Sequence, residues 1–201
     1  LLKKAHPLMD IYREERKKEL HASLLENAGK EGRRRRVLAV PDLGVLPKKL
    51  LEEILERNHV VLNEKTVILE SYKRSATCLE TILKHSVVED EVSVLSEAEY
   101  EKYPLVLPLA ECFLEKDIRL TYEEYHACIG AAENYAKANE NYQFNLTKIK
   151  GFHNIQITCF EGKWCMISKN RAPAIHFVIH HPKLRYALEN MVLPIRDDEI
   201  E

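Results

Sequence analysis

The chain has 201 residues, 45% of them hydrophobic, which is enough to bury a core and suits one generous domain or two small ones. No apolar run approaches the roughly 18–20 residues of a membrane span, and residues 1–7 lack the apolar stretch of a secretory signal, so a soluble, non-exported protein is expected. The formal net charge of −2 hides an asymmetry: eleven Lys or Arg against six Asp or Glu give residues 1–36 a charge of +5, leaving −7 for residues 37–201.

Residues 8–27 read as a helix, but Arg13-Glu14-Glu15-Arg16-Lys17-Lys18-Glu19 leaves it only a thin apolar stripe. It is expected to project from the body, with Leu8, Ile11, Tyr12, Leu20 and Leu24 as candidate contacts to a partner; the bland alternative is that they pack on their own body. Gly29-Lys30-Glu31-Gly32 and the arginines Arg33, Arg34, Arg35 and Arg36 read as a basic linker and as the best boundary in the chain. Residues 1–36 therefore form a first unit, a projecting helix with its linker.

A small α+β subdomain is expected over residues 37–102. It opens with a short strand over residues 37–40, a turn at Pro41-Asp42-Leu43-Gly44, and a helix that Pro47 can start because its missing N–H costs nothing there. Leu46, Leu50, Leu51, Ile54 and Leu55 mark the inward face of that helix, which ends near Asn58, and Glu53 pairs with Arg57 on the other face. The β-branched runs at residues 59–62 and 66–69, split by Asn63-Glu64-Lys65, read as a hairpin. Thr77-Cys78-Leu79-Glu80 has the spacing of a capping box and opens a further helix; Ser96-Glu97-Ala98-Glu99 repeats the signal.

Residues 103–201 are expected to form a second α+β subdomain. Two prolines in Tyr103-Pro104-Leu105-Val106-Leu107-Pro108 give an extended bridge, followed by a short helix to Glu115. Thr121-Tyr122-Glu123-Glu124 opens the most convincing helix, to about Asn139. Ile155, Ile157 and Cys159 then alternate with polar residues, Glu161-Gly162 makes a two-residue turn, and Trp164 and Met166 resume the alternation. A third strand covers residues 174–180, and from Pro182 the residues Leu184, Leu188, Met191 and Val192 fall at helical spacing. The expected fold is α+β and helix-rich: an N-terminal projecting helix, a small β-hairpin subdomain, and a C-terminal antiparallel three-stranded sheet packed by helices.

Five cysteines, Cys78, Cys112, Cys128, Cys159 and Cys165, are an odd number without regular spacing, which points to a reducing compartment. The chain does not begin with Met and is expected to be part of something longer. Adjacent guanidiniums at Arg33, Arg34, Arg35 and Arg36, extended by Lys148 and Lys150 on the strand before the hairpin, could bind phosphates or serve as an import signal. His153, His176, His180 and His181 with Cys159 and Cys165 are the residues from which a metal site could be built. The two-residue turn would, however, set the thiols on opposite sides of the hairpin, and neither CxxC nor HExxH occurs.

His126 and Cys128 lie two apart on a helix and do not face each other. Asp42 with Glu70 and Lys73 is a loose match to a metal-dependent nuclease or hydrolase. Six glycines are about half the usual share of roughly 7%, and none form GxGxxG or GxxxxGK[ST], so no phosphate-cradling loop is visible.

The function expected from these features is a non-catalytic protein–protein interaction domain, an adaptor or scaffold, within a larger intracellular protein. It is placed in the nucleus ahead of the cytoplasm and uses an exposed helix and a sheet edge or groove. Its partner is another protein, with nucleic acid as the alternative, and no membrane, cofactor or metal is expected.

Overall fold

The computed structural model describes residues 28–109, 117–147, 153–171 and 175–192. Its strands are β1 (Gly32–Leu38), β2 (Ser86–Ser93), β3 (Tyr142–Thr147), β4 (Ile155–Phe160), β5 (Trp164–Lys169) and β6 (Ile175–Ile179). Its helices are α1 (Lys48–Arg57), α2 (Leu62–His85), α3 (Glu97–Lys102), α4 (Tyr122–Ala138) and α5 (Pro182–Met191). All six strands join one mixed sheet in the order β3-β2-β1-β4-β5-β6. β1, β2 and β3 run parallel, with α2 in the crossover from β1 to β2 and α4 in the one from β2 to β3. β4, β5 and β6 follow as an antiparallel meander beside β1.

The α+β class matches expectation, but the architecture does not. The expected antiparallel strands β4, β5 and β6 are half of a six-stranded sheet rather than a sheet of their own, and among the described residues no hairpin precedes residue 77. The supposed hairpin at residues 59–69 is instead a short connection, residues 59–61, and then the start of α2, a helix of 24 residues. Thr66, Val67 and Ile68 favour strands locally, yet Ile68, Ser71, Leu79 and Leu83 are buried at helical spacing, and tertiary packing outweighs propensities worth a few tenths of a kcal/mol each. Thr77 does not cap a helix but sits inside one, accepting from Thr81 Oγ1 at 2.8 Å.

The supposed basic linker is likewise β1, the fourth of six strands from the β6 edge. Its hydrogen bonds run to β2 on one side and β4 on the other.

The local start signals elsewhere are used as read. Ser96 and Glu99 form a reciprocal capping box at α3, and Thr121 and Glu124 form one at α4. Pro47 precedes α1, and Asn58 closes it by donating its side-chain amide to Ile54 O at 2.8 Å. Arg57 pairs with Glu124 rather than Glu53, tying α1 to α4, while Glu53 pairs with Lys49. Residues 103–108 are extended, with Leu107 N donating to Ile118 O at 2.9 Å; the short helix expected up to Glu115 lies outside the described residues.

Side-chain alternation gives the sheet two faces. On one, Leu38, Val88, Val92 and Tyr142 pack under Leu51, Ile54 and Leu55 of α1, Ile68, Leu79 and Leu83 of α2, and Tyr125, Cys128 and Ala132 of α4. On the other, Val37, Ile157, Cys159 and Cys165 pack against Leu188 of α5 and Val192 just past it. The three-residue turn Glu161-Gly162-Lys163, with Gly162 at φ 72°, sets the β4–β5 register one residue away from the expected one. Cys159 therefore faces Cys165 directly, on the same side of the hairpin.

Candidate functional site

Arg33, Arg34, Arg35 and Arg36 alternate across the sheet. Arg33 and Arg35 point to one face and share Glu89, at 3.0 and 2.9 Å. Arg36 points to the other and chelates Asp90 through Nε (2.5 Å) and Nη2 (2.6 Å), with Nη1 on Asp42 at 2.5 Å. Asp90 is fully buried and also accepts from Tyr142 Oη at 2.7 Å. Burial alone would lower the Arg36 pKa, but Asp90 and Asp42 raise it above its ordinary value. Arg34 is buried with its guanidinium 4.1 Å from the centroid of the Phe160 ring; burial, and then Arg36, lower its pKa to about 10. A phosphate backbone therefore meets at most Arg33 and Arg35, both already held by Glu89. Lys148 and Lys150 lie outside the described residues, as do Leu8, Ile11, Tyr12, Leu20 and Leu24.

The three residues of the nuclease reading serve separate purposes. Asp42 accepts from Gly44 N at 2.8 Å and from Arg36, capping a single 3-10 turn, while Glu70 and Lys73 are exposed on α2. Among the described residues no group of three or more His, Cys, Asp or Glu is placed to hold a metal ion. His153 stacks on Tyr103, His176 Nδ1 bonds Ser168 Oγ at 2.8 Å, and His126 is exposed against the edge of Tyr122 while Cys128 is buried.

The thiols of Cys159 and Cys165 do come together, with Sγ atoms 2.7 Å apart in the small core under α5. Burial raises the pKa of both, and raises that of Cys128 to about 12 from an ordinary 9. The Cys128 shift alone removes about three orders of magnitude of thiolate. Alkylation at pH 8, followed peptide by peptide, should accordingly leave Cys128, Cys159 and Cys165 unlabelled in native protein and label all three in denaturant. Rapid native labelling of Cys128 would contradict its placement in the core.

The surface that stands out is β6. It ends the sheet, and among the described residues no strand pairs with its outer edge. Phe177 is 63% exposed, Val178 54% and Ile175 41%, so both faces of the strand show apolar side chains. Leu184, Tyr186 and Met191 on α5 are exposed as well; of the four apolar residues read at helical spacing, Leu188 and Val192 form the narrow inward stripe and Leu184 and Met191 lie outside it. Edge strands are ordinarily blunted by charge, proline or a bulge, whereas this one carries Ile-His-Phe-Val-Ile. From sequence the run reads as a strand, but an apolar run is the same for a buried strand as for an exposed edge.

No helix among the described residues is long and apolar enough to cross a membrane. Compared with family models, curated proteins and solved structures, the chain matches none of them.

Proposed function

We propose that this chain is a non-catalytic protein-binding module that takes an extended segment of another protein onto the outer edge of β6. The supporting observation is the exposed apolar pair Phe177 and Val178 on a terminal strand. An added strand gains main-chain hydrogen bonds from such an edge and specificity from side chains on alternate faces. Lys169, His180, His181 and Lys183 lie around the strand, so a partner segment with apolar residues at alternate positions and carboxylates at its ends is favoured. The nuclear placement drew on Arg33, Arg34, Arg35 and Arg36 as an import signal; with those guanidiniums in the sheet, the proposed module carries no commitment to that compartment.

Selection of linear peptides from a displayed library, followed by titration of an enriched peptide, tests the reading. Phe177→Lys should weaken binding by about tenfold or more, equivalent to about 1.4 kcal/mol, without changing the circular dichroism of the chain. Equal affinity in the variant would overturn the proposal. So would a wild-type dimer that Phe177→Lys dissociates while no peptide is enriched, because the edge would then belong to a second copy.

A further inference from the structure

Beside α2, the face of β4, β5 and β6 opposite α5 borders a cavity of about 250 Å³. At about 30 Å³ per water molecule this is room for a ligand on the order of ten non-hydrogen atoms. Its walls are largely apolar, with Leu43 and Leu79 on one side and Trp164, Met166 and Val178 on the other. Three guanidiniums, of Arg34, Arg36 and Arg74, border it against the carboxylate of Asp42, and Arg36 is further matched by Asp90. Among the described lining residues guanidiniums outnumber carboxylates, and Arg74 adds a charge beyond the Arg36–Asp42–Asp90 cluster, so this lining favours a negative charge.

Asn170 supplies an independent observation. It is 6% exposed and lines the cavity, its backbone N–H is bonded to Asn154 O at 2.8 Å, and neither Oδ1 nor Nδ2 of its side chain has a hydrogen-bond partner. A buried amide left this way is unfavourable, and a polar ligand atom in the cavity would relieve it.

We propose that this cavity binds a small organic anion, a flat apolar body bearing a carboxylate or phosphate. The body lies against Trp164 and Met166, the anionic group is drawn to Arg34 and Arg74, and Asn170 bonds a polar atom of the ligand. A few convergent polar groups in a mainly apolar hollow are the usual composition of a ligand site. The cavity shares Val178 with the β6 surface proposed above, but Phe177, on which that reading is tested, does not line it, and neither Arg74 nor Asn170 belongs to β6.

Trp164 is the only tryptophan of the chain, so its fluorescence reports on the cavity directly. Benzoate and phenyl phosphate, with benzamide as the neutral counterpart, are titrated at millimolar concentrations against the whole chain, Arg74→Gln and Asn170→Leu. The expected result is saturable change with an anionic probe, a carboxylate or a phosphate preference naming the head group, and at least tenfold weaker binding in both variants. Asn170→Leu should melt no lower than the parent, since it removes an unsatisfied amide, whereas a purely structural asparagine would show the opposite. If Asn170→Leu fails to fold, Arg74→Gln decides alone. Absence of binding, equal binding of benzamide, or binding that survives in both variants would overturn the proposal.

Discussion

Asp90→Ala should lower folding stability by about 3–5 kcal/mol, the range for removing one partner of a buried ion pair. Asp90 lies fully buried on β2 and accepts two bonds from Arg36 and one from Tyr142. Its loss leaves a guanidinium in the core with Asp42, one quarter exposed, as its remaining carboxylate, and leaves the Tyr142 hydroxyl without its acceptor. Asp42 sets the expectation at the lower end of that range.

Asp90→Asn keeps the volume and one acceptor but not the charge, and should fall between the parent and Asp90→Ala. Replacing both partners, Arg36→Met with Asp90→Leu, should recover most of the loss, because well-packed apolar residues often replace a buried pair without penalty. Urea unfolding followed by circular dichroism measures all four proteins, and a cost for Asp90→Ala below about 0.5 kcal/mol would mean that the pair is solvated after all.

The same pair explains why most of β1 and all of β2 were illegible in the sequence. Capping boxes at Ser96 and Thr121 and prolines at Pro47 and Pro182 are local signals, and the helices begin where those residues say. Arg36 in β1 is compensated by Asp90, 54 residues away, and no local pattern reveals that partnership. β2 hides for the same reason: Val88, Asp90 and Val92 share its buried face, and a carboxylate in that row breaks the alternation that marks a half-buried strand.

α2 fails differently. Its helical period becomes clear only from Ile68 to Leu83, while its second turn opens on the β-branched run Thr66, Val67 and Ile68. Gly162 supplies the third mechanism: one extra residue in the turn moved every cross-strand pair and brought Cys159 opposite Cys165. The candidate surface was half visible. A sheet edge could be named as a means of binding, but which strand would end the sheet depends on pairings that only the fold provides.

Phe160→Ala should cost about 3–5 kcal/mol, comparable to the loss of Asp90 but by packing rather than charge. Phe160 ends β4 fully buried, with Arg34 and Lys163 each placing a cationic group 4.1 Å from its ring centroid and the Trp164 ring edge-on at 5.9 Å. The ring also fills the space beside Gly32, where an added Cβ would lie 2.6 Å from its Cε2. Gly32 has φ 147°, a conformation that side chains other than glycine rarely adopt, so the aromatic ring covers a strand position that cannot cover itself. Truncation opens a void there and strips a buried arginine of its stacking partner.

Phe160→Leu retains most of the volume but neither cation–π contact, each worth about 0.5–1 kcal/mol, and should lose about 1–2 kcal/mol. The order of the two variants separates filling from stacking. If leucine proves as damaging as alanine, the contacts of Arg34 and Lys163 with the ring carry more of the stability of the β1–β4 junction than the ring's volume does.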